Sequence, residues 1–267
     1  MEVGAFYYIW YGDGGAGYGT SHWSDEASRA VPMKPTLGYY ESEDTDTIDA
    51  HIDMMIAAGI DFALISWWSD TPTMTRIVTS FLARAALKSF KAAVMVEGHD
   101  PGDTSDWEDD CDYVWDNWAS HEAYYEFDSK PLIVLAPHWA ETILPAEHAD
   151  ARFTLRHMTS RMGYANEWGY WDIVPRQYAS GEQSSVIPGF DNRGLARSGH
   201  KVGSIVPMST HFFLEQWRIV LGYMPDIALV CSFNEWHEGT CIEPCNEWGW
   251  EYIHACKKGS GYYGEVT

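Results

Sequence analysis

The residues able to do chemistry concentrate late in this chain, in the run Val230, Cys231, Ser232, Phe233, Asn234, Glu235, Trp236, His237, Glu238, Gly239, Thr240, which continues to Ile242, Glu243 and Pro244. Glu235 and Glu238, three residues apart, follow an apolar, strand-like segment. Loops leaving the carboxyl ends of parallel strands carry catalysis in barrel enzymes, so two carboxylates at that point read as an acid–base pair. A general acid must keep its proton near neutral pH, and a neighbouring carboxylate together with aromatic walls disfavours ionisation of one member of such a pair. The other then has to stay ionised to accept a proton, with Asn234 and His237 as the nearest groups able to orient the two.

The elements that must position this pair alternate between strand and helix. Val3 to Tyr8 reads as a first strand; Ile48, Ile52, Met55 and Ile56 recur at helical spacing up to a stop at Gly59; Ile60 to Trp68 reads as a buried strand. Met74, Ile77, Val78, Phe81, Leu82 and Ala85 mark a second helix, Lys91 to Glu97 a third strand, Trp107 to Trp118 a third helix, and Pro131 to Ala136 a fourth strand. Arg152 to His157, Ile173 to Tyr178 and Ser185 to Phe190 are short candidate strands. Phe213, Trp217, Val220, Leu221 and Met224 share a helical face before a closing strand, Ile227 to Phe233. Repeated βα units over 267 residues predict a single (β/α)₈ TIM-type barrel spanning 1–267, with short or degenerate helices in the middle.

Charge narrows the partners. With 17 Lys plus Arg against 39 acidic residues the net charge is −22, which disfavours nucleic acid and anionic membranes as partners. No apolar run is long enough to span a bilayer. The start runs almost directly into an apolar strand, so no signal peptide is expected in this sequence; the compartment is either the cytoplasm or the exterior with a leader removed. Five Cys at 111, 231, 241, 245 and 256 form no CxxC pair, and ordinary thiols or one disulfide at the mouth of the last loop are expected in place of a metal site.

Aromatic residues make up 15% of the chain, and Tyr7, Tyr8, Trp10, Trp23, Trp67, Trp68 and Trp236 fall at predicted strand ends or in the loops beside them. Flat apolar rings stack on the C–H faces of sugars while nearby Asp, Glu, Asn and His bond the hydroxyls, so a carbohydrate cleft is expected. Trp107, Trp115 and Trp217 lie on helix faces and are assigned to the core.

The opening GAFYYIWYG, the pair His22 and Trp23, LGYYESED from Leu37, HIDMMIAAGIDFALISWW from His51 and SFNEWHEGTCIEP from Ser232 resemble glycoside hydrolase family 99, the endo-α-mannosidases and endo-α-mannanases. The resemblance covers both ends of the chain and is weak from about Ser120 to Arg197. It implies a metal-independent barrel enzyme, without cofactor, that cleaves internal α-mannosidic bonds of an oligosaccharide or polysaccharide, α-1,2 bonds foremost, with retention. By the same resemblance Glu235 assists attack of the sugar's own 2-hydroxyl to give a 1,2-anhydro sugar, and Glu238 is the general acid and base. Substrate contacts carried over in the same way are Glu97, one of Tyr7 and Tyr8, one of Trp67 and Trp68, and Tyr178 and Asp191, with Trp23, Asn234, Trp236 and His237 around them. Cys241 and Ile9 depart from the family pattern, the former standing where a Gln is usual.

Other classes remain in view: a non-catalytic carbohydrate-binding barrel, a hydrolase acting on another α-linked polysaccharide, and a metal-dependent hydrolase using His237, Glu238, Cys241 and Cys245. The oligomeric state is not set by the sequence. The charge of −22 fits either a well-solvated acidic enzyme surface or adaptation to high salt. Salt adaptation predicts a higher melting temperature in molar salt than in dilute buffer, and equal stability in both removes that reading.

Overall fold

The computed structural model describes residues 1–12, 23, 33–69, 71–97, 107–136, 150–158, 165–170, 172–178, 180–193, 203 and 205–261. His22 lies outside the described residues. Along the chain run β1 (Glu2–Tyr8), α1 (Thr45–Ala57), β2 (Phe62–Trp67), α2 (Pro72–Leu87), β3 (Lys91–Val96), α3 (Trp107–Asn117), β4 (Glu126–Phe127) and β5 (Lys130–Leu135). There follow β6 (Thr154–Met158), β7 (Glu167–Trp168), β8 (Gln183–Val186), α4 (Thr210–Tyr223), β9 (Ile227–Val230) and α5 (Glu251–Ser260). The sheet runs β7-β6-β5-β3-β2-β1-β9-β8, every neighbour parallel, and the short β4 pairs antiparallel with β5.

The result is a nearly closed barrel of parallel strands with helices between them. β1, β2, β3 and β9 are buried along almost their whole length, which is why they read as unbroken apolar runs and not as alternating ones. Inside, Gly4 leaves the space taken by its neighbours: a Cβ there would lie 2.4 Å from the Phe62 ring and 2.7 Å from Leu229. Outside, α1 buries Ile48, Ile52 and Met55 after an Asp44 cap that accepts from Asp46 N, and Pro72 opens α2. Among the described residues no helix is long and apolar enough to cross a membrane.

Several expectations change in detail. Ile173 to Tyr178 is not a strand; the strand before β8 is instead β7, two residues long. β8 begins two residues before the expected Ser185 and ends at Val186, and the last strand stops at Val230, not Phe233. α5 was not expected, because Glu251, His254, Lys257, Lys258 and Gly259 dilute its apolar face. Trp115 is exposed, with its ring against Arg152 and Phe153 and not in the core; Ile56 is exposed; and Met224 is a left-handed cap beyond α4 that points to solvent. All five cysteines are buried free thiols.

β7 and β8 share no ladder, and a side chain spans the gap. The Gln183 amide accepts from Gly169 N at 2.7 Å and donates to Gly169 O at 3.2 Å, and Ser185 Oγ donates to the same carbonyl at 2.8 Å. Gln183→Leu strips Gly169 of its N–H acceptor in a buried seam. The expected cost is about 2 kcal/mol, read as a lower urea midpoint with an unchanged slope.

Candidate active site

Parallel registry brings the strand ends level. Tyr8 stands opposite Ser66, and Trp67 opposite Val96, so Tyr8, Ser66 and Glu97 come together at one mouth of the barrel. Alternation along each strand then sorts the aromatic pairs. Tyr7 points outward to the helix layer, its hydroxyl 2.9 Å from His51 Nδ1 and its ring 5.0 Å from Phe81. Tyr8 points inward, where burial first, with the nearby Glu97 and Glu235 adding to it, keeps its hydroxyl protonated well above the usual phenol range. Trp67 likewise turns outward, its indole bonded to Thr75 at 3.1 Å and packed on Trp118, while half-buried Trp68 follows just past the end of β2. Tyr8, not Tyr7, is therefore on the carboxylate side, and Trp67 faces away from it.

The loop after β9 is anchored at every turn. Phe233 N donates to Phe6 O at 2.9 Å, and the Asn234 side chain accepts from Tyr8 N and donates to Tyr8 O, both at 2.8 Å. Glu235 N donates to Ser232 Oγ at 2.7 Å. Its buried carboxylate accepts from His237 N at 2.9 Å and lies 3.1 Å from His237 Nδ1. His237 is held in turn by stacking on Tyr11, with centroids 5.8 Å apart and planes 11° apart. Tyr11 carries Trp23 on another side at 4.4 Å, so Trp23 supports the wall from behind, its indole donating to Tyr40 O at 2.6 Å.

Within this block Glu238 is half-buried where its neighbours are buried. Burial first, then the charge of Glu235, raises its carboxyl to about 8, against an opposing effect of His237. Glu97, which accepts from Ser66 Oγ at 2.9 Å, is raised to about 7 by burial, with Glu235 adding to the effect. Three carboxylates thus sense one another across the mouth, two of them holding protons near neutral pH.

Tyr170, just after β7, joins this group though the sequence did not single it out. Its hydroxyl makes a short hydrogen bond with that of Tyr8, its ring packs edge-on against Phe6 at 5.0 Å, and burial, with Glu238 and Glu97 adding to it, holds the hydroxyl in its neutral form. The only signal for it was an aromatic pair beside Gly169 in a segment without clear periodicity. Trp10, packed on Tyr8 at 4.6 Å and edge-on to His237, also borders the site.

Three expected residues sit differently. The Tyr178 hydroxyl bonds Asp172 at 2.8 Å and its ring covers Gly169, on the β7–β8 connection and without a described contact to Glu235 or Glu238. Asp191 reaches the loop through its backbone, its N–H donating to Glu238 O at 2.7 Å, while its carboxylate pairs with Arg193. Trp236 is buried, its indole bonded to Glu243 at 3.0 Å behind the loop. Among the described residues no group of three or more His, Cys, Asp or Glu could hold a metal ion.

A barrel whose mouth gathers carboxylates of raised pKa, joined tyrosine hydroxyls and aromatic walls has the make-up of a glycan-cleaving enzyme, and known proteins bear this out. The model of glycosyl hydrolase family 99 matches residues 24–150. A Danio rerio glycoprotein endo-alpha-1,2-mannosidase-like protein is 24% identical over 311 aligned residues, covering 91% of this chain and 70% of its own. The Rattus norvegicus glycoprotein endo-alpha-1,2-mannosidase is 21% identical, covering 90% and 67%. The solved structure of a GH99 endo-alpha-mannosidase from Bacteroides thetaiotaomicron superposes with a TM-score of 0.80 at 20% identity, covering 99% of this chain and 97% of that one. Together these relationships indicate a glycoside hydrolase. Its relatives are those of glycosyl hydrolase family 99.

The raised carboxyl of Glu238 has a consequence for stability. The folded protein keeps a proton there that the unfolded chain releases above about 4.5, so stability falls as pH rises from that value through about 8. Glu238→Gln has nothing to ionise. Its melting temperature is expected to exceed wild type by a few degrees near pH 8 and to converge with it near pH 4; a constant difference across the range would contradict the raised pKa.

Proposed function

We propose that this protein is a retaining, endo-acting glycoside hydrolase that cleaves internal α-mannosidic bonds, α-1,2 bonds foremost, on one barrel domain spanning the chain. What carries the reading is the pairing of unlike carboxylates in one loop: Glu235 accepting two bonds from His237, and half-buried Glu238 holding its proton up to about 8. Burial beside a second carboxylate favours the protonated form of Glu238, which suits it to give a proton, while the bonds from His237 hold the Glu235 oxygens in place. The names of the relatives, endo-alpha-1,2-mannosidases, supply the sugar and the linkage.

In the first step the 2-hydroxyl oxygen of the bound sugar attacks the anomeric carbon, its proton passing to Glu235. The glycosidic C–O bond breaks as Glu238 gives its proton to the leaving oxygen. In the second step Glu238 takes a proton from water, the water oxygen attacks the anomeric carbon, and the three-membered ring opens as Glu235 returns the proton to the 2-oxygen. Two inversions give net retention. Tyr8, Tyr170, Glu97 and Trp68 line the side of the mouth where the sugar before the scissile bond would lie, and protonated Glu97 serves as a donor to a hydroxyl.

An α-1,2-linked manno-oligosaccharide, with product anomers followed by NMR, tests the proposal. Wild type is expected to release the α-anomer first, while Glu235→Gln and Glu238→Gln each lose about 10³-fold in kcat. The kcat/KM of wild type is expected to fall as pH rises through about 8, since the acid must hold its proton. Binding without cleavage by wild type would leave a carbohydrate-binding barrel or another α-glycan as substrate.

A further inference from the structure

Behind the catalytic loop lies a second acidic group that the chemistry above does not use. Glu243 is completely buried, yet its carboxylate meets three donors. Tyr40 Oη donates to Oε2 at 2.8 Å, Trp236 Nε1 donates to the same oxygen at 3.0 Å, and His51 Nε2 lies 3.2 Å from Oε1. The far nitrogen of His51 is 2.9 Å from the Tyr7 hydroxyl. An ionised carboxylate can only accept, so a neutral His51 turns its Nε2 proton to Glu243 and its Nδ1 accepts from the Tyr7 hydroxyl, which burial and the charge of Glu243 keep protonated.

We propose that Glu243 is a positioning residue, whose buried carboxylate, held by His51 and Tyr40, fixes the Trp236 indole and through it the relative placement of Glu235 and Glu238. The connections are short. Glu243 N donates to Phe233 O at 2.8 Å, so the residue straps the loop by backbone as well as by side chain. Trp236 stands between Glu235 and His237, and its own N–H donates to Tyr11 Oη at 3.0 Å, the hydroxyl that bonds Asn234 O at 2.8 Å and belongs to the ring on which His237 stacks. A buried charge is costly unless its donors are complete, and one serving the core alone would be replaceable by apolar packing. Here the three donors tie separate elements to the loop: α1 through His51, which is backed by Tyr7 of β1, the segment before α1 through Tyr40, and the loop itself through Trp236.

The inference rests on the proposed reaction only for its kinetic arm. Glu243→Ala leaves three buried donors unanswered. Glu243→Gln does not: its oxygen keeps Tyr40 and Trp236, and its amide donates to His51 once the imidazole proton moves to Nδ1. The test compares both variants and Tyr40→Phe with wild type. One arm reads kcat and KM on an α-1,2-linked manno-oligosaccharide. The other reads the nitrogen chemical shift of His237 Nδ1, which reports its bond to Glu235 without any substrate.

Glu243→Ala is expected to lose about tenfold or more in kcat with KM little changed, and to move the His237 signal toward that of an unbonded ring. Glu243→Gln is expected to recover most of both losses. If the Ala variant does not fold, as judged by near-ultraviolet circular dichroism, Tyr40→Phe carries the test, with the same His237 displacement in smaller measure. An unmoved His237 signal in a folded Ala variant, or in Tyr40→Phe, overturns the proposal, as does a Gln variant no better than Ala. If wild type does not cleave the manno-oligosaccharide, the proposed function fails while the His237 signal still decides this one.

Discussion

Everything at the mouth of the barrel depends on how the loop after β9 is fastened to the first strand. The β1–β9 ladder ends at the pairing of Ala5 with Val230, and the chain then leaves the sheet. It does not leave β1. Phe233 N takes Phe6 O, and the Asn234 amide takes both the N–H and the carbonyl of Tyr8, so a side chain continues the backbone pairing past the point where the strand has ended. A primary amide has a donor and an acceptor side by side, as a peptide edge does, and no other neutral side chain but Gln can make this contact. Because Tyr8 is itself a wall of the site, the bond that fixes the loop also fixes the distance between the wall and Glu235.

The network behind this contact explains how a loop so rich in polar groups can be buried. Tyr11, Tyr40, His51, Asn234, Trp236 and Glu243 are all buried, and each has a described partner. Burial holds the tyrosine hydroxyls in their neutral form, so they act as fixed donors and not as acids. A fully satisfied network of this kind is rigid, whereas a partly satisfied one would cost more than an apolar core. Glu238 stands apart by being half-buried and raised, which suits the acid role proposed for it.

How much of this was legible from the residues varies with the reason each element forms. β1, β2 and β3 announce themselves because strands covered on both faces are apolar throughout, and the pair Glu235 and Glu238 because it follows such a strand. Alternation said that only one of Tyr7 and Tyr8 could face the site; choosing between them required knowing that His51 and Phe81 wait on the other side. β7 was not legible, since two residues, one of them Glu167, show no period. Tyr170 was lost with it, while the family resemblance pointed to Tyr178 in the same stretch. Glu243 was visible as a residue type but is one of 39 acidic side chains, and only its three donors distinguish it.

The seam at Gln183 bears on how such a barrel can change over evolutionary time. A ring of ladders closed all round transmits any alteration of one strand to every other, because registers are shared. Here side chains, the Gln183 amide and the Ser185 hydroxyl on Gly169, close the ring in place of a ladder, and the β6–β7 ladder beside it has only two pairings. The arc from β8 through β9, β1, β2 and β3 carries Tyr8, Ser66 and the approach to Glu97 and Glu235, and it keeps its registers whatever happens across that joint. Apart from Gly169 and Tyr170, which the seam and the mouth require, the connection from β6 to β8 can thus change sequence with little effect on those registers, and the lineage can remodel what the mouth recognises while Glu235 and Glu238 stay where they are.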